Sequence, residues 1–223
     1  MDKLKRYVIF LVGLFVNSLG VSFVTKANLG TSPISSIPYV LSLNFPMTLG
    51  NFTILFSLLL IGLQLIILRK NFKLEHVLQI PISVVFGYFI DFTMNLLQQV
   101  NPQFYGTKLL VLFVGCLILG FGVYLEVLAN VAMLPGESFV RAVSDTWNFE
   151  FGVTKIGFDV SMSVIAAVLS LVFVHSLYGV REGTIIAALL VGYMARTFGK
   201  MFAKWESVLL EEVEEEDSNE MAA

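Results

Sequence analysis

A chain of 223 residues that is 57% hydrophobic and 14% charged, with a mean hydropathy of +0.82, cannot be a soluble domain. Soluble domains carry roughly 25% charged residues, and a chain this poor in charge could not cover its surface. The net charge of −3 comes from one C-terminal run, Glu211 to Asp217. Without that run the body is mildly basic, which suits anionic lipid and gives no reason to expect nucleic acid.

A helix needs about 20 mostly apolar residues to cross the bilayer core. Six stretches qualify in chain order: residues 7–27, 49–68, 76–98, 108–128, 153–175 and 182–203. The first follows Lys3, Lys5 and Arg6 and could mimic a signal peptide. Its apolar stretch is too long and no small-residue cleavage site follows, so it reads as a first membrane helix. Two shorter segments, 33–43 and 135–147, begin at Pro33 and Pro135 and are too short to span comfortably. Proline suits the first turn of a helix, where its missing N–H costs nothing. Thr31 and Ser32 precede Pro33 as capping residues. Both segments read as interfacial or re-entrant half-helices.

The strongest internal signal is a repeat. Shifted by 102 residues, the stretch 12–56 meets 114–158 without gaps and with twelve identities in 45 positions. Shared apolar composition should give about three. Gly13, Gly20, Ala27, Asn28, Pro33, Ser36 and Gly50 fall on Gly115, Gly122, Ala129, Asn130, Pro135, Ser138 and Gly152. With three extra residues the third helices align too, Gly87-Tyr88 on Gly192-Tyr193. The expected domains are therefore a first membrane repeat over 1–105, a second over 106–205, and a disordered acidic cytoplasmic tail over 206–223.

Charge asymmetry sets the expected orientation. Lys3, Lys5 and Arg6 place the N-terminus in the cytoplasm; Arg69, Lys70 and Lys73 place the second connection there; Arg196, Lys200 and Lys204 do so for the C-terminus. Three spans per copy is odd, so the copies have opposite topology, as is common among secondary transporters. If the short segments did span, the copies would be parallel, with four helices each. The inverted reading is preferred: an all-α membrane protein of about six transmembrane helices, built as two inverted three-helix repeats.

Several polar residues within this apolar frame are candidate substrate-binding groups. Asn28, Gly30, Thr31 and Ser32 open the first half-helix, where free N–H groups and a small residue suit an anion. The plainer alternative is a capped turn. The second copy has Asn130, Ala132, Met133 and Leu134 there, and Glu137 beyond them would oppose an anion. Glu126 and Asn130 lie four apart on one face, and a carboxyl group in an apolar span is by default a functional hypothesis. Glu126 replaces Val24 of the first copy and lies near the cytoplasmic end, where water would reach it harmlessly. Asp91 and Asp159 also sit in apolar sequence, and Asp159 has Lys155 one turn away as a local partner.

Other features have simpler readings. Ser18, Ser22 and Thr25 are expected to bond back to the preceding turn. Gly13, Gly20, Gly115, Gly120 and Gly122 are expected to permit close helix packing. Lys26 is read as snorkelling to the outer interface and Arg196 as a positive anchor. Cys116 is alone, and His76 and His175 are far apart, so no disulfide or metal site is expected. No Walker A loop, Rossmann glycine pattern, zinc motif or nucleophile elbow is present, so neither cofactor nor enzymatic activity is expected.

At Asn28-Leu29-Gly30-Thr31-Ser32-Pro33, with Thr48-Leu49-Gly50 and Arg181-Glu182-Gly183-Thr184, the chain resembles the YczE/YyaS/YitT group of bacterial integral membrane proteins. The likeness covers about residues 5 to 205 and leaves out the tail. It implies a bacterial cytoplasmic-membrane protein and little about substrate. The function expected from the residues is a transporter or facilitator for a small polar solute with an anionic group. The alternative is a non-transporting membrane partner that stabilises or regulates another protein. The partners expected are the lipid bilayer and a small-molecule solute, with a homo-oligomer or another membrane protein also open.

Overall fold

A computed structural model describes residues 3–69 and 74–220; Lys70 and Lys73 of the second basic cluster lie outside them. Among the described residues the chain is all helical, with α1 (Lys3–Lys26), α2 (Pro33–Asn44), α3 (Leu49–Leu68), α4 (Leu74–Val77), α5 (Gln79–Leu96), α6 (Tyr105–Ala129), α7 (Pro135–Trp147), α8 (Phe151–Val174) and α9 (Glu182–Glu220). Five of these, α1, α3, α6, α8 and α9, are long and apolar enough to cross a membrane. The expected third span is instead divided at Leu78 into α4 and α5. α5 has 18 residues and carries Gln79, Asp91 and Asn95. Its length is about 27 Å at 1.5 Å per residue, just short of the hydrocarbon core.

The half-helices form where the prolines put them. α2 and α7 have 12 and 13 residues, and each has proline in its first turn. α3 starts at Thr48, whose side chain accepts from the Asn51 N–H at 3.1 Å. The matched asparagines also have a local cause. Asn28 and Asn130 stand at φ +55° and +47°, directly after α1 and α6. That left-handed conformation ends a helix, and Asn tolerates it better than most residues. The acidic run expected to be disordered continues α9 as helix to Glu220, consistent with the good helix propensity of Glu.

α1 and α6 form the central pair and run antiparallel. Moving up α1 and down α6, Gly13 meets Glu126, Asn17 meets Gly122, Gly20 meets Leu119 and Val24 meets Gly115. A Cβ on Gly20 would fall 2.5 Å from the Leu119 backbone, and one on Gly122 would fall 2.5 Å from the Asn17 nitrogen. The expected close-packing role of these glycines is therefore present. Gly120 likewise faces Met194 of α9, where a Cβ would fall 2.7 Å from Met194 Cβ.

Around this pair, α5 packs on α1 and α9 on α6. α2 packs on α8 and α3, and α7 packs on α3 and α8. One contact lacks a counterpart: α3 packs along α5, while α8 and α9 scarcely meet among the described residues. The core is built from Leu14, Val21, Val24, Ile90, Leu112 and Leu119, among others. Leu59, Leu65 and Ile66 of α3, Val160, Val164 and Val172 of α8, and Ile185 and Leu189 of α9 are exposed. An outward apolar face of this kind is tolerable in lipid and not in water.

Candidate functional site

At the end of α6 and the start of α7 the helices line an open cavity of about 960 Å³. Its walls include Ile67 and Leu68 of α3, His76 of α4, Gln79 of α5, Glu126 and Asn130 of α6, and Glu137, Ser138 and Arg141 of α7. That volume falls in the range of small-molecule sites, roughly 300–1,000 Å³. Its lining mixes polar side chains with apolar ones such as Ile67, Leu68, Val131 and Leu134.

Two networks hold the polar walls. Glu126 is buried, and its Oε1 accepts from Asn17 Nδ2 of α1 at 2.9 Å. Among the described residues no ion pair reaches Glu126. Behind α7, Gln64 of α3 donates Nε2 to the Pro135 carbonyl at 3.1 Å, and Gln79 donates Nε2 to Ser138 Oγ at 2.8 Å. Ser138 Oγ in turn donates to Gln64 Oε1 at 2.9 Å. All three side chains are buried. Buried amides of this kind are stable only when fully bonded, and together they tie the start of α7 to α3 and α5. Neither Gln64 nor Gln79 was singled out in the sequence. An amide inside an apolar stretch is the signal that could have found them.

The first-copy turn is closed. The Thr31 N–H donates to the Gly179 carbonyl at 3.2 Å, and the Gly183 N–H donates to the Leu29 carbonyl at 2.8 Å. Arg181 Nη1 donates to the Asn28 carbonyl at 3.3 Å. Thr31 Oγ1 shares a hydrogen bond with Thr25 Oγ1 at 2.9 Å, and Ser32 Oγ donates to Ser35 Oγ at 2.9 Å. Leu29 and Thr31 are wholly buried. Gly30 has φ +108°, and a Cβ there would collide with Thr184 Oγ1.

Of the residues marked out in the sequence, Glu126 and Asn130 are thus brought together at the cavity. Asn28, Gly30, Thr31 and Ser32 are gathered in the closed turn. Asp91 lies elsewhere, capping the start of α3: Oδ2 accepts from Thr48 Oγ1 at 2.7 Å and Oδ1 from the Gly50 N–H at 2.8 Å. Asp159 is paired with Lys155, whose Nζ lies 2.6 and 2.7 Å from its two oxygens. Ser18 and Thr25 bond back to the Phe15 and Val21 carbonyls as expected, whereas Ser22 reaches across to Thr93 Oγ1 at 2.8 Å.

The three motifs that carried the resemblance are therefore contacts between helices. The Asn28 turn meets the Arg181-Glu182-Gly183-Thr184 turn, and Thr48-Leu49-Gly50 meets Asp91. Comparison with known proteins agrees with that resemblance. The chain is 26% identical over 198 residues to the uncharacterized membrane protein YczE of Bacillus subtilis (strain 168), covering 87% of this chain and 86% of that one. It is 23% identical over 141 residues to the uncharacterized protein YyaS of the same organism, covering 63% and 69%. No solved structure matches. Residues 4–200 match a family whose description is "Family of unknown function (DUF6198)", and this membrane protein belongs to that family.

Proposed function

We propose that the chain is a transporter or facilitator for a small polar solute, and that the solute occupies the cavity between α6 and α7. The observation that carries this reading is a buried carboxyl group, Glu126, lining a solute-sized cavity while hydrogen-bonded to Asn17 of α1. A membrane scaffold has no need of a buried carboxyl group at such a cavity, whereas ionisable groups within membrane helices commonly mark substrate or ion paths.

The reading includes six spans in two inverted three-helix repeats, with α5 as the short third span. The pattern along α1 and α6 supports it. Gly13 against Glu126 and Gly115 against Val24 are one contact with the copies exchanged, and so are Gly20 against Leu119 and Gly122 against Asn17. Exchange of this sort is what a two-fold axis lying between antiparallel helices produces. The basic clusters then put the cavity on the cytoplasmic side.

The walls carry Glu126, Glu137 and Asp145 beside Arg141 and His76, which suits a polar solute with both hydrogen-bond donors and acceptors. The start of α7 offers a helix N-terminus, which favours an anion, but Glu137 in its first turn and Glu126 opposite both present acceptor oxygens. The anionic solute expected from the first-copy turn has less support, because the Thr31 N–H and the Thr31 and Ser32 hydroxyls are engaged within the protein.

A thermal-stability screen of the purified protein against small amines, amino acids and carboxylates tests this directly, since selective binding raises apparent stability. A stabilising solute should then cross proteoliposomes containing the protein, and Glu126→Gln should reduce both effects at least tenfold. No stabilising solute and no flux would favour the non-transporting partner.

A further inference from the structure

The Arg181-Glu182-Gly183-Thr184 turn has no part in the cavity, yet it closes over the start of α2 at the position equivalent to the cavity mouth. We infer that these two places are alternate gates of one pathway, the α2 gate shut and the α7 gate open in this conformation. The inference rests on the inverted two-copy reading above.

Equivalent positions show the contrast. Leu29, Gly30 and Thr31 are buried beneath the connection from α8 to α9. Their counterparts 102 residues on, Val131, Ala132 and Met133, are partly exposed and line the cavity. Arg181 binds the Asn28 carbonyl at the covered turn. Two copies of one unit thus hold their half-helices in different states, one covered and one uncovered. Packed interfaces switch between discrete arrangements and do not deform continuously, so each copy displays a state open to the other.

Among the described residues three hydrogen bonds cross the α2 gate: Gly183 N–H to Leu29 O, Thr31 N–H to Gly179 O, and Arg181 Nη1 to Asn28 O. It is also a close backbone contact, since a Cβ on Gly183 would fall 2.5 Å from the Leu29 carbonyl oxygen. When the copies are exchanged, Gly183 and Gly30 are replaced by Leu78 and Ala132. The α7 gate therefore closes through side chains and not through the same backbone clamp. In the alternating cycle α2 swings free as α7 is covered, and the shared α1–α6 pair serves as the fixed axis.

The test uses thiol reporters in the full chain on a Cys116→Ser background, reconstituted in proteoliposomes and labelled with N-ethylmaleimide. Ser32→Cys reports the α2 gate and Ala132→Cys the α7 gate. Arg181→Ala should speed labelling at residue 32 several-fold and slow it several-fold at residue 132. Gly183→Ala, which pries the clamp apart while keeping Arg181, should do the same and serves if Arg181→Ala does not fold. Faster labelling at 32 with 132 unchanged or also faster means local loosening and overturns the inference, as does no change in both variants. Reciprocal labelling without flux of any solute would leave the two gates standing and remove the transport reading.

Discussion

Asn17 of α1 donates Nδ2 to Glu126 of α6 at 2.9 Å, and the residues that replace them when the copies are exchanged are Leu119 and Val24. One end of the central helix pair therefore carries a buried polar pair, while its symmetry mate is part of the apolar core. The polar pair lies at the cavity. On the proposed two-copy reading, the copies differ at the proposed solute site.

Asn17→Leu should leave the Glu126 carboxyl buried without its donor and destabilise the protein by about 1–3 kcal/mol. Asn17→Leu combined with Glu126→Val recreates the pair of the other end and should recover most of that loss. Unfolding of the four proteins of this cycle in detergent measures the coupling. Additive losses would mean that the hydrogen bond contributes little.

The glycines of the α1–α6 contact should not tolerate even a methyl group. Gly20→Ala and Gly122→Ala each place a Cβ 2.5 Å from the facing backbone, and forcing the helices apart should cost about 1–3 kcal/mol. Gly62→Ala and Gly192→Ala meet nothing within 4 Å and should be neutral or stabilising by up to ~1 kcal/mol, because Ala is the better helix former. Thermal denaturation of the four variants separates the two classes.

Asp91 is expected to act in stability and not in solute recognition, since both of its oxygens are used at the start of α3. Asp91→Ala should cost about 1–3 kcal/mol through loss of the Thr48 and Gly50 contacts, with Thr48→Val costing less because the Gly50 N–H keeps its acceptor. Solute-induced stabilisation should be unchanged in both. A lost solute response in well-folded Asp91→Ala would place Asp91 in the pathway.

Topology follows from the basic clusters. On the Cys116→Ser background, Asn101→Cys should react with an impermeant maleimide added to whole cells, and Asn71→Cys should react only after the membrane is opened. External labelling at residue 71 would remove the inverted arrangement and with it the placement of the cavity on the cytoplasmic side.

The sequence by itself determined the membrane class, the long apolar helices, both proline-started half-helices to within a residue, and the packing glycines. These follow from local physics: apolar run length, the fixed φ of proline, and the need for a missing side chain where helices touch. Tertiary structure decided the rest. The sequence left the Asn28 turn open between an anion site and a capped turn, and the connection around Gly179 and Gly183, some 150 residues away, fills it with backbone hydrogen bonds. The sequence left Asp91 a candidate beside Glu126, yet Asp91 caps a neighbouring helix, while the Lys155–Asp159 pair was legible as a local alternative and is present. Gln64 and Gln79 passed unnoticed because their partners, Ser138 and the Pro135 carbonyl, come from α7, 59 to 74 residues along the chain. A polar group in an apolar helix must find a partner, but only the packing of distant helices decides whether that partner is protein or an open space for a solute.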